Sequence, residues 1–522
     1  MKSMVAKTAA RTFLALCLSS ALAQSQAAEI PAGTTLADTQ RIVINNGSEV
    51  SSLDPQKVEG VPESNVIRNL LEGLVETDNN GQLVPGVAQQ WQNQQGRIWT
   101  FTLRKDARWS NGEPVTAQDF VYSWQRLADP RTASPYASYL QAAHISNIDA
   151  ILAGKAAPSQ LGVKALDDHH LQVTLSEPVP YFVDMLAHTS MKPVYRPAVE
   201  QWGDAWTQPQ HYVGNGAYTL ADWVVNEQIV VKRNPHYWDN AHTTLDEGVF
   251  LALTSENSDI NRYRSGGTDM TNSVVPPDMF KKLQQALGDE VKVSPLLCTF
   301  YYEINNKKAP FDDVRVRNAL KLTLDRDIIA QKIMGQGQIP AYGLTPPFIH
   351  GIALNTPAWA QQTQAQRNAA AKQLLAEAGF NAQHPLRFTL LYNTSEQNKR
   401  QAIAAASMWQ KNLGAQVTLQ NQEWKTLLET RHQAQFDVVR ATWCADYNEP
   451  SSFLNLLLSG SSINTAFYHS AAFDALMAQT LNTADDAQRA RSSSKTSLHP
   501  TICHAILPPQ LLYHYSNYIT LL

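Results

Sequence analysis

The chain has 522 residues and sets 42 Lys and Arg against 46 Asp and Glu, a formal net charge of −4. This near-balance excludes a nucleic-acid-binding surface and an acidic tail. Hydrophobic residues make up 43%, a globular composition, and the length suits roughly three domains with a large core.

In chain order the first feature is an address. Lys2, Lys7 and Arg11 precede the apolar run FLALCLSSALA, which is too short to span a bilayer and is followed by small residues. A cleaved secretory signal is expected, with the cut after Ala27 and Ala23 as the competing position. A lipid anchor on Cys17 is disfavoured because that cysteine lies inside the apolar run, directly after Leu16. Beyond the signal, short strand patterns alternate with amphipathic helices. QRIVINN and GRIWTFTLR read as strands, TAQDFVYSWQRLADP as a helix capped by Thr116 and stopped near Pro130, and HHLQVTLSEPVP as a strand closed by prolines. The GNG at 214–216 reads as a turn before the strand AYTLADWVV. FDDVRVRNALKLTLDRDIIAQKIMG, with Val316, Leu320 and Leu324 at helical spacing, reads as one helix ending at Gly335. PAWAQQTQAQR is the expected long surface loop, QRNAAAKQLLAEAGF a helix ending at Gly379, and LRFTLLYN the strand after it. The class is mixed α/β, without an internal repeat.

Enzyme signatures are few. There is no GxSxG elbow, HExxH, Walker loop or CxxC pair. His169 and His170 follow two aspartates in ALDDHHLQV; a polar turn entering a strand accounts for them better than a metal. His211, His236 and His350 lie in separate loops without ligand spacing. No cofactor or metal is expected. Of the four cysteines, Cys298, Cys444 and Cys503 follow the signal. Cys298 and Cys444, 146 residues apart, each sit beside strand-like aromatic sequence, which allows one disulfide or two buried free thiols. Closing such a loop is worth roughly 4 to 5 kcal/mol in the chain-entropy model. Twelve Trp and eighteen Tyr read either as core packing or as an aromatic-lined cleft. WCADYNEP raises a question of charge, since an unpaired carboxylate at Asp446 beside Trp443, Cys444 and Tyr447 is costly to bury.

The run PGVAQQWQNQQGRIWTFTLRKDARWSNGEPVTAQDFVYSW resembles the signature of the extracytoplasmic solute-binding proteins that feed ABC-type peptide importers. The resemblance continues through SEVSSLDPQKVEGVPES, VGNGAYTL, RNPHYWDNAHT, DVRVRNALKLTLDR, LLYNTSEQNK and WCADYNEPSSFLNLLLS, covering residues 28 to about 489. It implies a periplasmic, non-enzymatic, monomeric receptor for peptides of about two to five residues. Such a receptor closes two hinged lobes over its ligand and presents it to an inner-membrane permease with separate ATPase subunits. The implied division is domain I at 28–71 plus 196–297 and the C-terminal end, domain II at 72–195 and domain III at 298–489. Murein-peptide, dipeptide, antimicrobial-peptide and nickel binding are the rival ligands within the family. A secreted hydrolase using Glu59 and Asp446 is the rival outside it.

By the same resemblance, Asp446 pairs with the peptide's N-terminal ammonium. At 4 Å and an effective dielectric near 20 such a pair is worth about 4 kcal/mol before desolvation. On its own residues, DYNEP equally allows a structural turn or cap. Segments around Glu59 and Val61, and around Thr442 and Cys444, match those that lie along the peptide main chain. Glu59 and Arg440 match polar cleft residues, with a solvent-exposed or interlobe ion pair as the alternative. Tyr136, Trp424 and Trp443 match aromatic pocket walls, or are ordinary core. Arg431 resembles the cation that meets the C-terminal carboxylate for one ligand length. Asn398 stands where oligopeptide-binding members have a histidine serving another length, and Thr442 replaces a glycine. Cys298 and Cys444 match a cysteine pair that members binding murein tripeptide lack. From about Arg491 the sequence departs from the family, holds no Asp or Glu and adds the unmatched Cys503. A shift of reading frame near codon 490 is the expectation, with a natural divergent tail as the alternative.

Overall fold

The computed structural model describes residues 35–78, 80–272, 275–293, 296–349, 356–481 and the strand 506–512. The expected signal peptide with its cleavage site, His350 and nearly all of the atypical tail, including Cys503, lie outside these residues. Three larger sheets organise the chain. The first has the order β1 (Arg41–Asn45), β10 (Glu247–Leu251), β9 (Gln228–Arg233) and β8 (Tyr218–Val224), with β1 parallel to β10 and the other pairs antiparallel. The second is antiparallel, in the order β4 (Ala88–Gln94), β5 (Ile98–Leu103), β7 (His170–Thr174) and β6 (Val163–Asp167); the small hairpin β2 (Val75–Thr77) and β3 (Leu83–Pro85) precedes it. The third runs β13 (Gln416–Gln422), β12 (Arg387–Asn393), β14 (Val438–Cys444), β11 (Cys298–Ile304) and β15 (Ile506–Leu512). In it β13, β12 and β14 are parallel, while β11 runs antiparallel to β14 and β15. The strands expected from alternation all form. β15, at one edge, falls in the atypical tail and was not expected.

Two cores support these sheets. One runs from Ile44 through Phe101, Trp124 and Phe182 to Phe250 and takes in Tyr447. The other packs Phe300, Tyr302, Phe388 and Trp409 beneath the third sheet. Each such fully buried side chain contributes roughly 1.5 to 3 kcal/mol by leaving water, which makes the β11–β14 pair a rigid floor at the centre of that sheet.

Local signals act as the residue types require. The helix Ala117–Ala128 opens at Thr116, whose N–H donates to Asp119 Oδ2 at 2.7 Å. The 214–216 turn closes on the C-terminus of the helix Val61–Leu70. Gly216 N–H donates to Leu70 O, and Asn215 exchanges two hydrogen bonds with the Glu72 backbone. A Cβ on Gly214 would stand 2.1 Å from Leu70 O, so only glycine allows this approach.

Two expectations are corrected. The single helix expected across 311–335 is two: Val314–Thr323, capped by Asp313, and a π-type helix Ile328–Met334, ended by Gly335 at φ +65°. Between them the buried Arg326 guanidinium takes the Lys321, Leu324 and Ala341 carbonyls, consuming acceptors that would have continued the first helix. The loop PAWAQQTQAQR is also shorter than expected. The helix Gln364–Glu377 starts inside it, because Thr363 and Gln366 form a reciprocal cap.

Candidate binding cleft

β14 is paired along its whole length to β11, from Val438↔Ile304 to Cys444↔Cys298, but to β12 only at Val438 and Val439. Beyond Val439 the two parallel strands part. Ala445 N–H donates to Leu297 O at 2.8 Å, so alternate residues back to Ala441 bond toward β11. The amides and carbonyls of Thr442 and Cys444 therefore face the other side, where β12 has left. Cys298 and Cys444 are joined by a disulfide across this ladder. Thr442 sets its Cβ on the strand at the start of the open edge, where the relatives implied by the sequence would have a glycine.

A cavity of about 540 Å³ opens on that edge. All eleven residues singled out in the sequence line it: Glu59, Val61, Tyr136, Asn398, Trp424, Arg431, Arg440, Thr442, Trp443, Cys444 and Asp446. They arrive from distant parts of the chain. Glu59 precedes and Val61 begins the helix Val61–Leu70, Tyr136 lies after β5, and Trp424 and Arg431 lie on the helix Trp424–His432. Trp443 Nε1 donates to Ser452 O, and its ring stacks on Tyr136 at 6.3 Å; Trp424 Nε1 donates to Glu63 Oε1.

Asp446 is the buried acid of the site. Its N–H donates to Ser452 Oγ at 2.8 Å. Oδ1 lies 3.4 Å from the Tyr136 hydroxyl and 3.5 Å from His188 Nε2. Burial pushes its carboxyl up from 3.8 to about 8, with Tyr136 and the charge of Arg68 opposing. His188 supplies no balancing charge: burial, then the positive charges of Arg68 and Lys192, push it down to about 3. At pH 7 the acid is thus mostly neutral.

The cations sort into two kinds. Arg431 is already engaged: Nη2 donates to Glu303 Oε2 at 3.0 Å and to Thr465 Oγ1 at 2.9 Å, and Nη1 lies 3.9 Å from Glu59 Oε1. Glu59 also meets His432 Nε2 at 3.1 Å. Burial alone would raise Glu59, but His432 and Arg431 outweigh it and hold the carboxyl below its usual value, while the bond to Glu59 raises His432. Arg431 thus enters the cleft as part of a Glu59–Arg431–Glu303–His432 network and not as an open cation, the ion-pair alternative for Glu59. Arg440 differs. It is partly buried, its guanidinium hydrogen-bonds only neutral partners, Asn393 Oδ1 at 3.2 Å and Thr442 Oγ1 at 2.6 Å, and no carboxylate lies within ion-pair distance among the described residues. Burial pushes it down to about 10. Asn398 donates to Asn393 and brings no charge to the wall.

The sequence reading missed His188, Glu303 and His432. Glu303 alone had a signal, since it is the one charged residue of CTFYYEI, a strand buried at every position. Among the described residues no group of His, Cys, Asp and Glu is arranged to hold a metal.

Comparisons with known proteins agree with this geometry. The family model of bacterial extracellular solute-binding proteins, family 5 Middle, matches residues 82–465. The periplasmic oligopeptide-binding protein OppA of Salmonella typhimurium is 59% identical over 497 residues, 95% of this chain and 91% of that protein. The crystal structure of Haemophilus influenzae OppA in complex with RPPGFSPFR superposes with a TM-score of 0.90 at 48% identity, over 92% of this chain and 94% of that one. The Escherichia coli murein tripeptide binding protein MppA gives 0.90 at 46% identity, over 92% and 94% of the two chains. Its unliganded open form gives only 0.63 at the same identity, over 93% of each chain. Sequence being equal, that difference is one of conformation, and the present structure is not in the open one.

Proposed function

The chain belongs to the bacterial extracellular solute-binding proteins of family 5, and on that footing we propose that it is a periplasmic receptor that encloses short peptides and delivers them to an ABC-type permease. The observation that carries this reading is the open edge of β14 at Thr442 and Cys444, set between the buried Asp446 carboxyl and the Arg440 guanidinium in one cavity. Peptides share a backbone and two charged termini, and an unpaired strand edge with an acid at one end and a cation at the other grips those features whatever the side chains. Asp446 takes the α-ammonium. Arg440, lacking a carboxylate partner, takes the C-terminal carboxylate; Arg431 is held back in its own network and shapes the wall with Glu59. Tyr136, Trp424 and Trp443 wall the side-chain pockets, where trapped water satisfies varied groups. The oligopeptide and murein-tripeptide relatives bind ligands of this chemistry by name, and the nonapeptide complex of the Haemophilus protein extends the range of lengths to be tested beyond five residues.

The three sheets support the division into a discontinuous domain I, a domain II at 72–195 and a domain III at 298–489. The two conformations of the Escherichia coli relative support closure of lobes about a hinge. Export with removal of the first 27 residues accords with the periplasmic relatives. A receptor without chemistry of its own accords with Glu59, which is tied to His432 and Arg431 and so is not placed as a general acid or base.

The test is thermal unfolding of the mature chain with and without excess tripeptides. A ligand that binds only the folded state raises Tm by mass action, about 2.7 kcal/mol at a hundredfold excess over Kd. Absence of any shift across tri- to nonapeptides, or release of amino acids from a bound peptide, overturns the reading.

A further inference from the structure

His188 has no role in the sequence reading, yet it lines the cavity and its ring is clamped between Tyr136 at 4.5 Å and Tyr139 at 4.8 Å. Its protonation is legible from its partners. The Ser190 backbone N–H donates to His188 Nδ1 at 3.2 Å, and the Ser190 hydroxyl, 2.8 Å from the same nitrogen, is able to donate to it as well. A backbone amide only donates, so Nδ1 is the acceptor and the proton of the neutral ring sits on Nε2. Nε2 is the atom 3.5 Å from Asp446 Oδ1. The Tyr136 hydroxyl points at that same oxygen from 3.4 Å. Both distances are long for hydrogen bonds. Both contacts fall on Oδ1.

We propose, resting on the peptide-receptor reading, that His188 is a positioning residue of the ammonium site: a neutral imidazole locked as an Nε2–H donor holds one oxygen of Asp446 and leaves the other to a free α-amine. The surroundings suit this and no other state of the ring. The charges facing it are cationic, Arg68 from the helix Val61–Leu70 and the buried Lys192, which is itself paired with Glu76. The other titratable neighbours, Tyr136, Tyr139 and Tyr447, are held protonated by burial or retain their hydroxyl as donor, and the remaining acids nearby, Asp184 and Glu449, act on Tyr139 and Tyr447. An imidazolium there would stand beside Arg68 and Lys192 and would compete with the ligand for Asp446. A neutral donor instead stabilises the carboxylate without neutralising it, so the charge stays available to the ammonium. A peptide with a blocked amine brings no charge and gains nothing from that carboxylate.

The experiment titrates Ala-Ala-Ala and N-acetyl-Ala-Ala-Ala by calorimetry into the full mature chain, its His188→Leu and its His188→Gln variants, between pH 5 and 8. Loss of one donor to a charged acceptor is expected to weaken Ala-Ala-Ala by about tenfold. The acetylated peptide should change little, so that selectivity narrows by the same factor, the rise of affinity with pH moves to higher pH, and His188→Gln recovers most of the loss. Equal losses for both peptides with an unchanged pH profile reduce His188 to packing and overturn the proposal. Independently of any variant's folding, the ¹⁵N shifts of the wild-type ring should report the Nε2–H tautomer throughout; an Nδ1–H tautomer or an imidazolium overturns it. If wild type binds neither peptide, the receptor reading itself fails, while the tautomer spectrum still decides the state of His188.

Discussion

Because burial raises the Asp446 carboxyl to about 8, peptide binding should expel a proton. At pH 7 a carboxyl with that value is protonated in roughly nine molecules of ten, and pairing with an ammonium requires the anion. Ionising it at pH 7 costs about 1.4 kcal/mol, one unit at 1.36 kcal/mol per unit. Affinity should therefore rise about tenfold per unit from pH 5 to 7 and flatten near 8, where the ligand's own amine, with a value of about 7.7 to 8.0, begins to lose its charge. Calorimetry at pH 7 in buffers of differing ionisation enthalpy should return close to one proton released per peptide. Asp446→Asn should abolish the release, flatten the profile and weaken binding by 10- to 100-fold, the value of a hydrogen bond to a charged group at about 1.5 to 3 kcal/mol. Stability carries the same signature in reverse. The folded value lies above the unfolded 3.8, so the folded protein holds the extra proton between about pH 4 and 8, and the empty protein loses stability as pH rises across that window. Asp446→Asn should thus raise the Tm of the empty protein above pH 5 while lowering its affinity. Zero proton release, with Kd flat from pH 5 to 8, would refute the reasoning.

The two arginines should separate by assay. Arg440→Leu should remove the advantage of free-carboxylate over amidated peptides, about 10- to 100-fold, with a modest change in Tm. Arg431→Leu should instead cost stability, about 3 to 5 kcal/mol by chemical denaturation, because it leaves Glu303 and Glu59 buried without their cation. Glu59→Gln should bring the raised His432 value down, read by NMR titration, since the bond to Glu59 is the main cause that lifts it. In wild type the Glu59 contribution to stability is lost as pH falls through its depressed value, and that of His432 as pH rises through its raised one. Replacing Cys298 and Cys444 by Ser together should cost up to about 4 to 5 kcal/mol through a freer unfolded chain, measured as a fall in the denaturation midpoint without loss of peptide selectivity.

Strand positions were legible because alternation is a local property: QRIVINN, GRIWTFTLR and LRFTLLYN each declare a pleat before any partner is known. The helix between 311 and 335 was misread because its break comes from Arg326 reaching the Ala341 carbonyl, a contact that periodicity cannot contain. Membership of the site was legible by resemblance, and every residue so chosen lines the cavity. Their states were not. Whether Arg431 or Arg440 is the open cation depends on Glu303, which lies 128 residues from Arg431 in the chain. The neutrality of His188 depends on its burial and then on Arg68 and Lys192, on other elements of the fold. Electrostatics is set by what the fold brings together, and a motif names only one partner of each pair.

The charges at the two ends of the cleft also bear on how a bound peptide favours the closed form of such a receptor. At one end of the cavity stands a neutral Asp446 and at the other Arg440, a partly buried cation whose hydrogen-bond partners are neutral and whose desolvation depresses it to about 10. A zwitterionic peptide changes both ends at once. Its carboxylate pairs Arg440, its ammonium takes the place of the Asp446 proton, and these two ends then form two ion pairs with no net charge between them. Paired charges tolerate enclosure where a single cation does not. The ligand's differential affinity for the closed state is therefore supplied chiefly by the two termini, and a shift from mostly open to mostly closed, about 5.5 kcal/mol for 1:99 to 99:1, lies within reach of two buried charge pairs. The unliganded open form of the Escherichia coli relative fits this account, and a peptide blocked at either end should leave one charge uncompensated and the lobes correspondingly apart.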